Sequence, residues 1–313
     1  MMAAIAVLTG AVLFGFRSRW QDNYTEESNY YSITVRTLED NLKMLSLDNV
    51  VHSYVRPDEP ATLISPTLRA FAEIVDYRYA NDSNIKVLHL GGGGYTFPRY
   101  LELEYPNAVN DVVEIDPAVT RIAYTELGLP AESAITSYNL DARQFLIERS
   151  SAATYKYDIV VSDILYGLSI PYHLVTYEFD ALVRANMEPG GVYLAHIIDD
   201  YTRGRFMASV VRTLQQAFGN VYLFSLQPEW QHAGSSSYVV AATDSRIDLV
   251  RGSGHTVPGQ TAWRWLTPTT LPALTNTFPK EKRFCLLMTT PPRTSCSQRG
   301  CARRPLLLCW RSA

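Results

Sequence analysis

The feature that most constrains the fold is a run of four glycines, residues 91–94, directly after the short apolar segment 85–90 (IKVLHL). A short apolar run bounded by glycines is typical of a buried parallel strand. Glycines at the carboxyl end of such a strand adopt positive φ and let a bulky ligand approach the backbone. We therefore interpret Gly91, Gly92 and Gly93 as part of a nucleoside-binding turn, with an ordinary tight turn as the alternative.

The rest of the chain up to about residue 242 alternates between strand and helix patterns. Further strands are predicted at residues 111–115, 157–162, 192–197, 221–226 and 238–242. Helices are predicted at residues 67–80, 98–104, 118–127, 141–148, 176–186 and 205–218. Such alternation indicates a doubly wound, Rossmann-like α/β fold with a mostly parallel sheet.

The segment before this core has a different pattern. Apolar and polar residues alternate around Ile33 and Val35, and the turn pair Asp48-Asn49 separates two further apolar stretches. This pattern predicts a small N-terminal antiparallel β unit. The predicted organisation is a transmembrane stub at 1–20, the β unit at 21–66, the catalytic domain at 67–245 and an irregular tail at 246–313.

Residues 1–16 are almost wholly apolar and are followed by Arg17 and Arg19. The run is shorter than the roughly 20 residues that a spanning helix needs. We interpret it as the final part of a transmembrane helix, with the arginines placing the rest of the chain in the cytoplasm. A buried N-terminal helix is the alternative.

The composition indicates which partners to expect. The net charge is -3, from 28 basic and 31 acidic residues. The chain has no excess of basic residues that would indicate binding to the nucleic-acid phosphate backbone, and this balance suits a small or cationic substrate. All four cysteines fall in the tail, without paired CxxC units or histidines, so we expect no metal site and no disulfide framework.

Acidic residues follow the predicted strands of the core. Glu114 ends the segment DVVEI about twenty residues after the glycines, where a carboxylate accepts hydrogen bonds from ribose hydroxyls. A surface acid is the alternative.

Two further acids stand at predicted helix starts. Asp116 opens the next helix and is interpreted as its N-cap. Asp141 and Ala142 precede another helix, where they meet the adenine amino group, cap the helix, or do both.

Asp163 ends the segment YDIVVS and enters a long loop before the helix at 176–186. A carboxylate at the carboxyl edge of a strand lies beside the ligand position. There it binds a cationic amine or accepts its proton. A loop-capping aspartate is the alternative.

With these residues the chain resembles the spermidine synthase family and its membrane-fused relatives. The resemblance rests on VLHLGGGGYTFPRYL, VVEIDP, DAR and YDIVVSD, and on the upstream stretches ESNYYSITV and LKMLSLDNVVHS. The glycine-to-glutamate pattern is shared by many methyltransferases, whereas the upstream strand motif is specific to aminopropyl transfer.

The resemblance implies transfer of an aminopropyl group from decarboxylated S-adenosylmethionine to a small amine, without a metal, in polyamine biosynthesis. It implies that Glu114 binds ribose, that Asp141 binds adenine and that Asp163 is the catalytic base. It also implies a homodimer paired through the N-terminal region.

The chain departs from the family pattern on the amine side. Gly94 stands where the family usually has an acid, and Tyr166 where a second aspartate is usual. His52 replaces a usual glutamine, and the usual Tyr-His-Glu cluster after Asp58-Glu59 is missing. These departures leave two further functions open: an S-adenosylmethionine-dependent methyltransferase-like enzyme, and a non-catalytic nucleoside-binding domain of a membrane protein.

The tail departs from the family as well. The resemblance implies an acidic, proline-containing end to the fold, whereas the chain after Met288 is rich in Arg and Cys and has no usable period. We interpret this segment as translated out of frame from about residue 288, with a natural low-complexity tail as the alternative.

Overall fold

The structure is a computed structural model that describes residues 23–80, 84–152, 155–225 and 234–246, together with the backbone of strands at 264–266 and 284–290. The predicted transmembrane stub and most of the tail lie outside these residues. Within the described part of the chain, no helix is long and apolar enough to cross a bilayer. The domain boundaries and the out-of-frame tail stay predictions.

The N-terminal unit is a purely antiparallel sheet whose strands follow chain order. They are β1 (Asn23–Glu27), β2 (Ser32–Thr37), β3 (Lys43–Leu47) and β4 (Val50–Val55). Asp48 and Asn49 turn the chain between β3 and β4 with φ of 49° and 66°, in the left-handed region that these residue types tolerate. Ile33 and Leu45 face inward and pack against Val119 of the larger unit.

A second, larger sheet follows. Its strands are β5 (Lys86–Leu90), β6 (Val109–Val113), β7 (Thr136–Tyr138), β8 (Tyr157–Ser162), β9 (Met187–Asp200), β10 (Asn220–Ser225), β11 (Ser235–Thr243), β12 (Arg264–Leu266) and β13 (Phe284–Thr290). The spatial order is β12-β13-β10-β11-β9-β8-β5-β6-β7. Strands β7, β6, β5, β8 and β9 are parallel, and β11 runs antiparallel to both β9 and β10.

Helices connect these strands and cover the sheet. They are α1 (Pro66–Tyr79), α2 (Thr96–Glu104), α3 (Pro117–Thr125), α4 (Ala142–Ala152), α5 (Tyr177–Ala185) and α6 (Phe206–Ala217). Successive side chains of β5 point to opposite faces. Val87 packs with Phe71 of α1, whereas Leu88 packs with Phe145 of α4. The sheet is therefore buried on both faces, which explains its nearly continuous apolar strand sequences.

The strand order reverses beside β5. The chain runs from β5 to β6 and β7 on one side, then crosses back to place β8 on the other side of β5. Ligands of doubly wound sheets bind at such a reversal, outside the carboxyl ends of the strands. Leu90 and Ser162 pair at the ends of β5 and β8, so Gly91 and Asp163 emerge side by side.

The predicted fold class is confirmed, and the differences are local. Strand β7 was not predicted because it has only three residues, with Thr136 and Ser137 polar. Strand β9 is longer than the predicted 192–197, because an irregular register opposite β8 accommodates the segment 188–191 (EPGG). Strands β12 and β13 lie in the segment predicted to be irregular. They pair through backbone hydrogen bonds at the edge of the sheet. Such pairing does not require an alternation of apolar and polar residues in the sequence, so no pattern predicted these strands.

Candidate active site

A cleft opens where β5, β8 and the N-terminal sheet meet. Its lining comprises backbone and side chains of His52, Ser53, Leu68, His89, Leu90, Gly91, Gly92, Gly93, Gly94, Thr96, Phe97, Pro98, Val161, Asp163 and Leu165. The glycines form one wall, and the one carboxylate in the lining belongs to Asp163. The predicted glycine turn and the predicted base therefore face the same space.

Close packing requires glycine at two positions of the turn. Gly91 has φ of 96°, and a Cβ there would lie 2.8 Å from the carbonyl oxygen of Asp163. A Cβ on Gly94 would lie 2.7 Å from Cγ2 of Val55 and 2.8 Å from Cβ of Ser53. Strand β4 thus sits directly on Gly94, which gives a physical reason for the missing acid at this position.

Glu114 is buried behind the glycine turn, at the end of β6. Its Oε2 accepts hydrogen bonds from the amides of Gly92 at 2.8 Å and Gly93 at 3.3 Å, and its Oε1 accepts from the amide of Asp116 at 3.0 Å. Burial raises the pKa of this carboxyl, and the three amides partly oppose the rise. Glu114 therefore shapes the turn itself, and it does not line the cleft in its described form.

Asp116 caps helix α3, as predicted, by accepting from the amide of Ala118 at 2.9 Å. Its other carboxylate oxygen accepts from the hydroxyl of Ser28. This second bond ties the N-terminal unit to the start of α3, so Asp116 has a structural role.

Asp141 stands at the start of α4, with Ala142 buried behind it. Its Oδ1 accepts from the amides of Arg143 at 2.9 Å and Gln144 at 3.1 Å, and its Oδ2 lies 2.8 Å from Nε2 of His173. Burial by itself would raise the pKa of Asp141, but the bonds from His173 and the amides outweigh it and lower the pKa. The capping interpretation is confirmed, whereas the adenine contact of Asp141 and Ala142 stays a prediction, because neither lines the cleft.

Asp163 has a partner that sequence reasoning missed. Its Oδ1 lies 2.8 Å from Nδ1 of His196 on β9, and Nε2 of that imidazole lies 3.5 Å from Oγ1 of Thr67 on α1. No described residue donates a hydrogen bond to Oδ2 of Asp163. A histidine in the apolar strand segment 193–198 (YLAHII) was the available signal, since a polar side chain in a buried strand requires a partner.

Aromatic rings gather around His52, which lines the cleft together with Asp163. The ring centroids of Tyr31 and Tyr166 are 6.0 Å apart, and those of Tyr31 and His52 are 6.5 Å apart. Burial lowers the pKa of His52, although the charges of Asp163 and Asp48 oppose the shift. The cleft thus combines one carboxylate with the imidazole of His52.

The arrangement can hold a nucleoside against the glycine backbone and a cationic group against Asp163. Backbone amides and carbonyls form hydrogen bonds with neutral polar groups of a ligand, and a carboxylate binds an ammonium group through a charge-assisted hydrogen bond. Among the described residues, no cluster of three or more His, Cys, Asp or Glu side chains has the spacing of a metal site.

Curated relatives match the sequence, and two of them, both named as polyamine aminopropyltransferases, are at least 30% identical to it. A probable polyamine aminopropyl transferase of Bifidobacterium longum is 31% identical over 228 residues, covering 70% of this chain and 48% of the relative. A polyamine aminopropyltransferase of Vibrio vulnificus is 30% identical over 144 residues, covering 46% of this chain and 47% of the relative. The chain thus spans about half the length of these relatives. No family model matches the sequence.

Solved structures match the fold. A probable spermidine synthase from Corynebacterium glutamicum superposes with a TM-score of 0.66 at 22% identity, covering 76% of this chain and 89% of that one. Human methyltransferase-like protein 13 superposes with a TM-score of 0.51 at 17% identity, covering 59% and 84%.

The fold and the cleft define a Rossmann-like domain of the S-adenosylmethionine type with an antiparallel sheet seated on its glycine turn. Within that class, the sequence is similar to polyamine aminopropyltransferases and the fold is similar to that of a probable spermidine synthase.

Proposed function

We propose that the chain is an aminopropyltransferase that moves an aminopropyl group from decarboxylated S-adenosylmethionine to a small amine in polyamine biosynthesis. The observation that carries the proposal is the position of Asp163. Its carboxylate shares one cleft with Gly91, Gly92 and Gly93, and its Oδ2 is open to a ligand. The names of the curated relatives, which are polyamine aminopropyltransferases, support the same activity.

In the proposed reaction the cleft positions two substrates and removes one proton. The glycine turn, shaped by Glu114, holds the nucleoside so that its sulfonium faces Asp163. Asp163 accepts a proton from the acceptor ammonium, and the freed amine attacks the aminopropyl carbon next to sulfur. A carbon–nitrogen bond forms as the carbon–sulfur bond breaks. The electron pair stays on sulfur, and methylthioadenosine leaves.

Incubation with decarboxylated S-adenosylmethionine and a panel of amines tests the proposal. We expect methylthioadenosine to form with at least one primary amine and not without an acceptor. Binding of the nucleoside without product in the presence of any amine would instead support a non-catalytic nucleoside-binding domain.

A methyltransferase-like enzyme that uses S-adenosylmethionine is the second candidate. The observation in its favour is Gly94, since the glycine turn carries no acid that would repel the extra carboxylate of that cofactor. Parallel calorimetric titrations separate the two. Tighter binding of the decarboxylated compound supports aminopropyl transfer, whereas tighter binding of S-adenosylmethionine supports the methyltransferase.

We also propose that residues 1–16 attach the chain to a membrane, with the catalytic domain in the cytoplasm. Their apolar character and the arginines that follow support this. Flotation of the full chain with liposomes tests the attachment, and a chain that stays at the bottom of the gradient contradicts it.

We also propose a homodimer paired through the N-terminal unit, as the resemblance to the spermidine synthase family implies. Sedimentation velocity tests this state. A single species with the mass of one chain across the micromolar range contradicts it.

A further inference from the structure

His196 lies next to the predicted base because of the strand register. Ala195 of β9 pairs with Ser162 of β8, so the next residue of each segment, His196 and Asp163, stands at the same level. The 2.8 Å separation between Nδ1 of His196 and Oδ1 of Asp163 is typical of a strong hydrogen bond to a carboxylate. The side chain of His196 is 10% exposed and that of Asp163 is 36% exposed, so the bond lies at the inner end of the cleft.

The neighbours of His196 determine which nitrogen carries the proton. A carboxylate only accepts hydrogen bonds, so Nδ1 must donate to Asp163. Nε2 then has a free lone pair directed at the hydroxyl of Thr67, 3.5 Å away. Neutral His196 in this tautomer fixes Oδ1 of Asp163 and leaves Oδ2 directed at the cleft.

We propose that His196 is a positioning residue that orients Asp163 so that the carboxylate accepts a proton from the acceptor amine. This inference rests on the proposed aminopropyl transfer. The hydrogen bond from Nδ1 of His196 holds one oxygen of Asp163 and leaves the other free to accept the proton.

Other histidines of the cleft do not make this contact with Asp163. His89 on β5 shares the cleft, but its Nε2 donates to Oδ1 of Asn110, and burial lowers its pKa to about 4 despite this hydrogen bond. His52 on β4 also lines the cleft, and burial lowers its pKa as well. From β11 and α1, Val239 and Thr67 face His196, and neither titrates.

Two variants separate positioning from packing. His196→Ala removes the donor, and we expect kcat to fall about tenfold or more, with the KM for the nucleoside donor unchanged. His196→Gln keeps a neutral donor of similar reach, so we expect it to restore part of kcat.

Either of two kinetic results would overturn the proposal. One is a His196→Ala variant with the kcat of the wild-type chain. The other is a His196→Gln variant whose kcat is no higher than that of His196→Ala.

Nitrogen NMR of the full chain tests the pairing without relying on turnover. We expect Nδ1 of His196 to carry the proton and to show a hydrogen bond to Asp163. Protonation on Nε2 would overturn the proposal. A confirmed pairing in a chain that transfers no aminopropyl group would refute the proposed function instead, and with it the positioning role of His196.

Discussion

The hydroxyl of Ser53 accepts a 3.1 Å hydrogen bond from the amide of Gly94, which joins the N-terminal sheet to the glycine turn. Val55, two residues further along β4, packs on the same glycine. The N-terminal unit therefore forms part of the cleft wall, and its sequence limits which residue the turn can carry at position 94.

Replacing Gly94 with alanine should destabilise the fold. The added Cβ would lie within 3 Å of Ser53 and Val55, which is overpacking of a close contact between backbone and strand. We expect a loss of about 1–3 kcal/mol in the free energy of unfolding, measured by urea denaturation. Gly219→Ala is the matched control, because a Cβ there meets its nearest neighbour at an ordinary 3.5 Å. Equal stabilities of the two variants would contradict the close packing on Gly94.

Glu114→Ala should weaken binding of methylthioadenosine. The change removes three hydrogen bonds between the carboxylate and backbone amides that shape the turn, together with any bond to ribose. We expect a loss of about 1.5–3 kcal/mol in binding free energy by isothermal titration calorimetry. The exposed Glu104 on α2 supplies the control, Glu104→Ala. Unchanged affinity in a folded Glu114→Ala chain would remove this residue from the site.

Asp163→Asn should separate binding from turnover. Asparagine keeps the shape of the side chain but has no carboxylate to accept the amine proton. We expect donor affinity within a few fold and turnover lower by at least about a hundredfold. Leu168→Ala, an exposed change on the same loop, controls for loop disturbance. A variant with nearly normal turnover would show that another group removes the proton.

Asp180 should make the stability of the fold depend on pH. Burial raises its pKa from 3.8 to about 7, against a hydrogen bond from Thr213. The folded chain then holds a proton that the unfolded chain releases, so this contribution to stability is full below pH 4 and is lost as pH rises to about 7. The loss is at most about 4 kcal/mol.

The Asp180→Asn variant isolates this contribution, since asparagine does not titrate. The unfolding free energy of the wild-type chain, minus that of Asp180→Asn, should fall between pH 4 and 7 and stay level above that range. Glu104→Gln is the control, for which the same difference should not vary. A flat difference for Asp180→Asn would mean that this carboxyl is not buried.

Much of the fold could be predicted from the sequence because the strongest signals are local. The glycine run after an apolar strand, the turn pair Asp48-Asn49 and the alternating strand and helix periods each depend on neighbouring residues. Together they predicted the doubly wound sheet and the antiparallel unit before it. Strand β7 was not predicted because it has only three residues, two of them polar, and so shows no alternation of apolar and polar residues.

The partners in the cleft could not be predicted, because they come from residues distant in sequence. His196 meets Asp163 across a register between two strands, and Ser53 meets Gly94 across two sheets. His173 reaches Asp141 from a separate turn, Tyr172–Leu174. The acidic residues could be identified from the sequence. Only the structure shows which side chains form hydrogen bonds with their carboxylate oxygens.

The most direct test of the central proposal is the stoichiometry of the reaction. The full chain is incubated with decarboxylated S-adenosylmethionine and the best acceptor amine, and both products are quantified by mass spectrometry. Aminopropyl transfer predicts one aminopropylated amine for each methylthioadenosine, with both products nearly absent for Asp163→Asn. Methylthioadenosine without the matching amine, or equal amounts of product from the wild-type chain and Asp163→Asn, would contradict it.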